Sequence, residues 1–143
     1  MKREIETAIV AAGLLCSSPA VAAQVKVSNA WFRALPSGLP AGGYFSLHNE
    51  GAEVRLTGAR SAACGMLMLH KSAVASGMAE MMAVASVDVP AGGDIAFSPG
   101  GYHLMCTGPT PAMAPGGHVP VMLTFNDGTS TNVVFAVRNA NGK

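Results

Sequence analysis

Turn-forming residues interrupt this chain at short intervals, and this limits the secondary structure that it can form. The 143 residues include 17 glycines and 9 prolines. After residue 24, no apolar pattern keeps the 3.6-residue period of a helix. The runs between the turns are short and rich in Val, Leu, Phe and Thr, which is typical of β-strands. The predicted strands are Val25–Ala34, Gly43–Asn49, Val54–Ala59, Met66–Ser72, Glu80–Val87, Asp94–Phe97, Tyr102–Thr107, Val119–Phe125 and Thr131–Ala136.

The spacing of these runs predicts an all-β fold. Seven to nine short strands are typical of an antiparallel β-sandwich with Greek-key connections. The turn sequence Asn126-Asp127-Gly128 precedes Thr131–Ala136 and predicts a hairpin. A helix over Met66–Met82 is the main alternative, against which the glycines at 65 and 77 weigh. No linker or repeat is visible, so residues 24–143 are expected to form one domain.

Residues 1–23 have the pattern of a cleavable signal peptide. Lys2 and Arg3 precede a mostly apolar stretch, and Ala20-Val21-Ala22 supplies the small residues that signal peptidase needs. We expect cleavage after residue 22 or 23 and export to the periplasm. Cys16 leaves a lipid-anchored form as the alternative, although Leu15 stands where a lipidation motif has a small residue.

Composition excludes several classes of protein. A net charge of +1 with 12% charged residues does not suit nucleic-acid binding, which needs clustered Lys and Arg. Beyond the N-terminus no apolar run reaches the roughly 18 residues of a membrane span. No Ser/His/Asp set, paired-carboxylate motif or nucleotide loop is visible, so an enzyme is not expected. We expect a monomer.

Two cysteines follow the predicted cleavage site. Export places Cys64 and Cys106 in a compartment where disulfides persist. Small exported domains also leave cysteines unpaired, so both the paired and the unpaired forms stay open.

Histidine and methionine form the most informative pattern. Because residues i and i+2 of a strand share a face, His103 and Met105 should point the same way, with Leu104 and Cys106 on the other side. Upstream, His70 ends a strand-like run, a turn at Ser76-Gly77 follows, and Met81 begins the return. His70 and Met81 are therefore expected near the same end of one hairpin.

These donors suit one metal in particular. Thioether sulfur is soft and uncharged, so two Met and two His would hold Cu(I) without a thiolate. The ordinary alternatives are a surface histidine and a core-filling methionine. Either the pair Met66 and Met68 or the pair Leu67 and Leu69 should face the core. The remaining residues are interpreted as packing (Met113, Met122) or as structural (His48, His118).

At these residues the sequence resembles the periplasmic copper chaperone PCu(A)C family. Members carry His, ten residues, Met, twenty-one residues, then His-x-Met, and His70, Met81, His103 and Met105 match this spacing. The likeness extends to the segments 29–36, 43–49, 90–93 and 99–105. Two departures are Lys71-Ser72, where many members have a Met, and the lack of a His/Met-rich C-terminal tail.

The resemblance implies a cupredoxin-like sandwich that binds one Cu(I) in a shallow, exposed site with these four residues as ligands. It also implies delivery of copper to the Cu(A) site in subunit II of cytochrome c oxidase, directly or with a Sco-type protein. From their positions in the sequence, Trp31, which is expected in the core, and Tyr102 are candidates for the walls of the site, and ordinary packing is the alternative for both. Two alternatives remain, a metal-free exported β-sandwich that acts as a binding module and an electron-transfer cupredoxin. The latter would need a thiolate ligand.

Overall fold

A computed structural model of the chain describes Gly13 and residues 22–75 and 77–143. Almost all of the predicted signal peptide, residues 1–12 and 14–21, lies outside this part of the chain. Ala22 forms a single bridge with Ser130, and the Ala23 N–H donates a hydrogen bond of 2.9 Å to the Ser130 carbonyl. Within the described ranges, no helix has the length and apolar character needed to cross a membrane.

The described residues form ten strands and one helical segment, a short 3₁₀ turn at Pro36–Gly38. The strands are β1 (Val25–Arg33), β2 (Ala41–Asn49), β3 (Val54–Arg60), β4 (Cys64–Ala75), β5 (Met78–Ala83), β6 (Val87–Val89), β7 (Asp94–Phe97), β8 (Tyr102–Pro109), β9 (His118–Phe125) and β10 (Ser130–Arg138). The all-β prediction is confirmed.

One alternative for the middle of the chain is excluded, and one expectation is wrong. The alternative of a helix over Met66–Met82 is excluded, because β4 and β5 pair as an antiparallel hairpin over the residues described there. The predicted strand Glu80–Val87 is divided, since β5 ends at Ala83 and β6 begins at Val87. The break has a topological cause: β5 pairs with β4, whereas β6 pairs with β3.

The strands hydrogen-bond in the order β5-β4-β8-β2-β1-β10-β9-β3-β6, and β7 pairs with β2. The β1–β10 pair is parallel and the others are antiparallel. β2 changes partner along its length, pairing with β8 at Ala41–Gly43 and with β7 at Phe45–His48. Most neighbours are not consecutive in sequence, as Greek-key connections require. The predicted cupredoxin-like Greek-key sandwich is thus confirmed.

One apolar core draws on strands from most of this order. Leu104 of β8, Phe32 of β1, Phe135 of β10, Leu123 of β9 and Leu56 of β3 are all fully buried in it. A flat sheet could not bring these strands to one core, so the sheet folds over into two layers that each bury one face.

The strands β4 and β8 position the candidate site. Their register pairs Leu69 with Leu104, and both side chains belong to the core. The intervening positions therefore lie on the outer face of this layer. A disulfide joins Cys64 of β4 to Cys106 of β8, which settles the pairing that the sequence left open.

Candidate metal centre

Two histidines meet directly across β4 and β8. His70 is the register partner of His103, and their ring centroids are 5.6 Å apart. Only 4% of the His103 surface is exposed, although the residue lies on the outer face. The next pair along the same face is Met68 and Met105. The strand pairing thus places two imidazoles beside two thioethers.

The imidazole nitrogens are buried, and most of them have no hydrogen-bond partner. Both His70 Nδ1 and Nε2 are unpartnered, as is His103 Nε2. His103 Nδ1 lies 3.3 Å from the Gly101 carbonyl oxygen, which can accept its proton. That contact would leave the lone pair of Nε2 free, the arrangement that orients metal-binding histidines. Because unmet buried polar atoms are costly, these nitrogens fit a bound ligand.

The surroundings of His70 favour its neutral imidazole. Burial lowers the pKa of His70 from its ordinary value of 6.5, and the charge of His103 lowers it further. A neutral ring keeps the lone pair that a metal needs, so the site is prepared to bind a cation.

Met81 comes to the same face from the neighbouring strand. It stands opposite Ser72 in the β4–β5 pairing and is therefore diagonal to His70, so the two residues share a hairpin as predicted. Met81 is 64% exposed. Met81, His103, Met105 and Ser72 line one side of an open cleft of ≈ 400 Å³, here called the outer cleft. His70 adjoins it through its contact with His103.

The opposite side of the outer cleft comes from β1 and β2. Arg33, Gly42 and Tyr44 line it. The register places Gly42 opposite Met105, and a Cβ at position 42 would lie 2.7 Å from the Tyr44 hydroxyl. The missing side chain therefore makes room for the Tyr44 phenol beside the thioether.

Neither Trp31 nor Tyr102, the two candidates for walls of the site, lines the outer cleft. Tyr102 adjoins His103 in sequence, so alternation turns it to the opposite face, where it stacks on Phe97 with centroids 5.6 Å apart. Trp31 is only partly buried and packs on Tyr44 at 4.9 Å. Sequence reasoning missed Tyr44 and Arg33, because only the long-range register of β8, β2 and β1 brings them to the site.

The structure also places the other methionines and histidines that the sequence analysis considered. Leu67 and Leu69 pack on the core, whereas Met66 is 55% exposed and Met68 lies on the outer face beside Met105. Met68 is thus a further thioether that the sequence could not assign. The other residues lie away from the outer cleft: Met113 is buried in the core, Met122 contacts Arg60, His48 pairs with Asp94 and His118 is exposed.

The donor set is soft and uncharged. Across residues 22–75 and 77–143, no group of three or more His, Cys, Asp or Glu side chains could hold a metal ion. Both cysteines of this part of the chain form the disulfide, so the electron-transfer alternative lacks its thiolate.

The chain matches a protein family and an individual relative. The LpqE-like family model, which describes lipoproteins of the LpqE type, matches residues 25–137. Protein Lxx21020 of Leifsonia xyli subsp. xyli (strain CTCB07), which is named as a lipoprotein, is 32% identical over 120 residues. That alignment covers 82% of this chain and 72% of the relative.

Solved structures share the fold. The copper-bound PCuAC domain from PmoF2 superposes with a TM-score of 0.67 at 21% identity, over 83% of this chain and 96% of that domain. The solution structure of apo-DR1885 from Deinococcus radiodurans gives a TM-score of 0.62 at 25% identity, over 97% and 95% of the two chains. The Cu(I) form of DR1885 matches with the same score and identity, over 86% and 83%. The predicted resemblance to the PCu(A)C type is confirmed.

Proposed function

We propose, from the premise that the chain belongs to the LpqE-like family, that it is an exported copper chaperone with Cu(I) as its cargo. The proposed ligands are His70, Met81, His103 and Met105. One observation carries the proposal: two adjacent histidines have unpartnered imidazole nitrogens, and one of them, His103, lines an open cleft together with the thioethers of Met81 and Met105. Similar domains whose structures are described as copper-bound or as the Cu(I) form support the choice of metal.

The chemistry of the donors fits this cargo. Thioether is a soft ligand and imidazole suits copper, and Cu(I) prefers these neutral ligands to the carboxylates that hold Mg²⁺ or Ca²⁺. Thioethers also resist the oxidation that joins Cys64 to Cys106 in this protein. A carrier of this kind binds and releases its metal and performs no catalysis, so we propose that the protein is not an enzyme.

Release follows from exposure and ligand strength. Met81 is largely exposed, so an incoming thiolate can reach a copper ion held in the outer cleft. Thiolates bind Cu(I) more tightly than thioethers, so the ion moves to them without a change in its charge. Each acceptor thiol loses its proton to solvent as the new copper–sulfur bond forms and a thioether bond breaks.

The acceptor and the compartment belong to the same proposal. We propose that copper passes to the Cu(A) site of cytochrome c oxidase, directly or with a Sco-type protein, as the PCu(A)C resemblance implies. The lipoprotein names of the matching family and relative support export. We propose that residues 1–23 direct it to the periplasm and that the protein acts there as a monomer.

A Cu(I) titration tests the ligand assignment. The protein competes for Cu(I) with a coloured chelator under reducing, oxygen-free conditions, and X-ray absorption counts the sulfur and nitrogen neighbours of the bound ion. His103→Ala should weaken binding by tenfold or more, which is a loss of about 1.4 kcal/mol or more. His118→Ala and Met122→Ala are matched controls away from the outer cleft and should bind like the wild type. Equal affinity of His103→Ala and His118→Ala would refute the assignment.

A further inference from the structure

We infer that Arg33 and Arg138 form a carboxylate-binding pair at the margin of the outer cleft, which docks acidic side chains of the protein that receives copper. The inference rests on the proposed function, because it names the chemistry of the partner at that same cleft. The proposed copper site assigns no role to these two arginines.

The register places the pair beside the proposed metal ligands. Met105 stands opposite Gly42, Gly42 opposite Arg33, and Arg33 opposite Arg138. These residues form one row across β8, β2, β1 and β10 on the outer face. With strands about 4.8 Å apart, the backbone at Arg33 is about 10 Å from that of Met105. Arg33 itself lines the outer cleft.

Aromatic rings hold both guanidinium groups. Arg33 Cζ lies 5.5 Å from the centroid of the Trp31 ring and 5.6 Å from that of Tyr44. Arg138 Cζ lies 4.7 Å from the Trp31 centroid. Contact with a ring engages the flat face of a guanidinium and leaves its in-plane N–H groups available to an acceptor.

The charge of the pair is unbalanced. Like charges on directly opposite strand positions repel each other. Within the described ranges, neither the Lys26–Glu50 ion pair nor the hydrogen bond between His48 and Asp94 involves these arginines. No carboxylate side chain lines the outer cleft, and Arg33 Nε is buried without a hydrogen-bond partner.

Two neighbouring guanidinium groups, one of them with an unpartnered Nε, select a carboxylate, which accepts two parallel hydrogen bonds from a guanidinium. Bound Cu(I) would add a third positive charge to this region. An acidic partner would therefore bind the loaded protein more tightly than the empty one and would dissociate once the ion has moved.

Two synthetic acceptor peptides test the inference. Both carry the same Cys-x-x-Cys thiol pair, flanked by aspartates in one peptide and by asparagines in the other. The rate of Cu(I) transfer from the loaded full-length protein is measured by stopped flow at low and high salt. We expect transfer to the aspartate peptide to be about three- to tenfold faster at low salt. The difference should shrink at 1 M salt, where the Debye length is about 3 Å.

The variant Arg33→Gln/Arg138→Gln should lose this preference. The matched control, Arg55→Gln/Arg60→Gln, removes the same charge from exposed positions on β3 and should keep it. Arg138→Gln alone, which leaves the guanidinium at the outer cleft in place, should lose the preference in part and replaces the double variant if that variant does not fold.

Equal rates for the two peptides with the wild type would overturn the inference, as would equal loss of preference in the β3 control. Cu(I) loading of every variant is measured first. A wild type that fails to bind Cu(I) would refute the proposed function, whereas a loaded wild type without preference would refute the carboxylate site alone.

Discussion

The two neighbours of β4 differ in how firmly they are held. On one side, β8 is joined to β4 by the disulfide and contributes Leu104, which is fully buried, and His103, which is almost so. On the other side, all six residues of β5 are exposed. The proposed copper ligands therefore come from two unlike supports. Three stand on a packed strand pair, and Met81 stands on an edge strand whose six residues are all exposed.

This difference suits a carrier. Fixed donors lose little conformational entropy when a metal binds, so they supply most of the affinity. An exposed thioether loses more freedom on binding and is the easier ligand to displace. We therefore propose an order of release in which the acceptor thiolate displaces Met81 first and the β4–β8 pair releases the ion last.

The largest expected effect is the loss of stability on removal of the disulfide, which tests how firmly β8 is held to β4. Cys64→Ala/Cys106→Ala opens a loop with a sequence separation of 42. The chain-entropy relation predicts a loss of about 4 kcal/mol in the free energy of unfolding. Urea denaturation measures it, and alanine avoids burying a new hydroxyl. An unchanged midpoint would mean that the bond does not support the β4–β8 pair.

The next largest expected effect is a difference in unfolding free energy between a core substitution on β8 and an exposed one on β5. Leu104→Ala removes a fully buried side chain behind His103 and Met105, so we expect a loss of about 2–5 kcal/mol in unfolding free energy. Met82→Ala removes a side chain that is 49% exposed on β5, and the expected change is about 0.5 kcal/mol or less. Similar losses from the two substitutions, measured by urea denaturation, would contradict the distinction between the two sides of β4.

The alternation of side chains along a strand was enough to predict which face of β8 carries the candidate ligands. The placement of His103 and Met105 away from Leu104 followed from the period of a strand, which holds whatever the tertiary fold is. The choice between Met66/Met68 and Leu67/Leu69 did not follow, because both pairs are apolar and either could fill a core.

The sequence did not predict which residues of distant strands stand opposite each other. Arg33 and Tyr44 lie at the site only because Gly42 stands opposite Met105. Nothing near position 33 indicates that relation. The division between β5 and β6 was hidden for a similar reason, since Val84 continues the apolar run while the chain turns toward β3.

Copper binding should distinguish the two supports directly. Met105→Ala removes a thioether from β8, and we expect Cu(I) affinity to fall by about tenfold or more. Met81→Ala removes a largely exposed thioether, so affinity should fall only a few-fold, with faster copper release to a thiol chelator. Competition titration and stopped-flow transfer provide the two numbers. If both variants lose affinity equally, Met81 is as firmly held as Met105 and the proposed order of release is wrong.

The smallest expected effect concerns the proton that competes with copper at His70. Burial and the charge of His103 lower the pKa of His70 in the folded protein, whereas the unfolded chain keeps about 6.5. Below that value the unfolded state binds more protons than the native state, so metal-free protein should lose stability as pH falls through 6.5 and on through the lowered folded pKa. His70→Gln should reduce this loss, and His118→Gln should leave it intact. Urea midpoints at pH 7.5 and 5.0 measure the difference. If His70→Gln loses as much stability between these pH values as the wild type, the buried imidazole pair does not cause the acid sensitivity of the β4–β8 side.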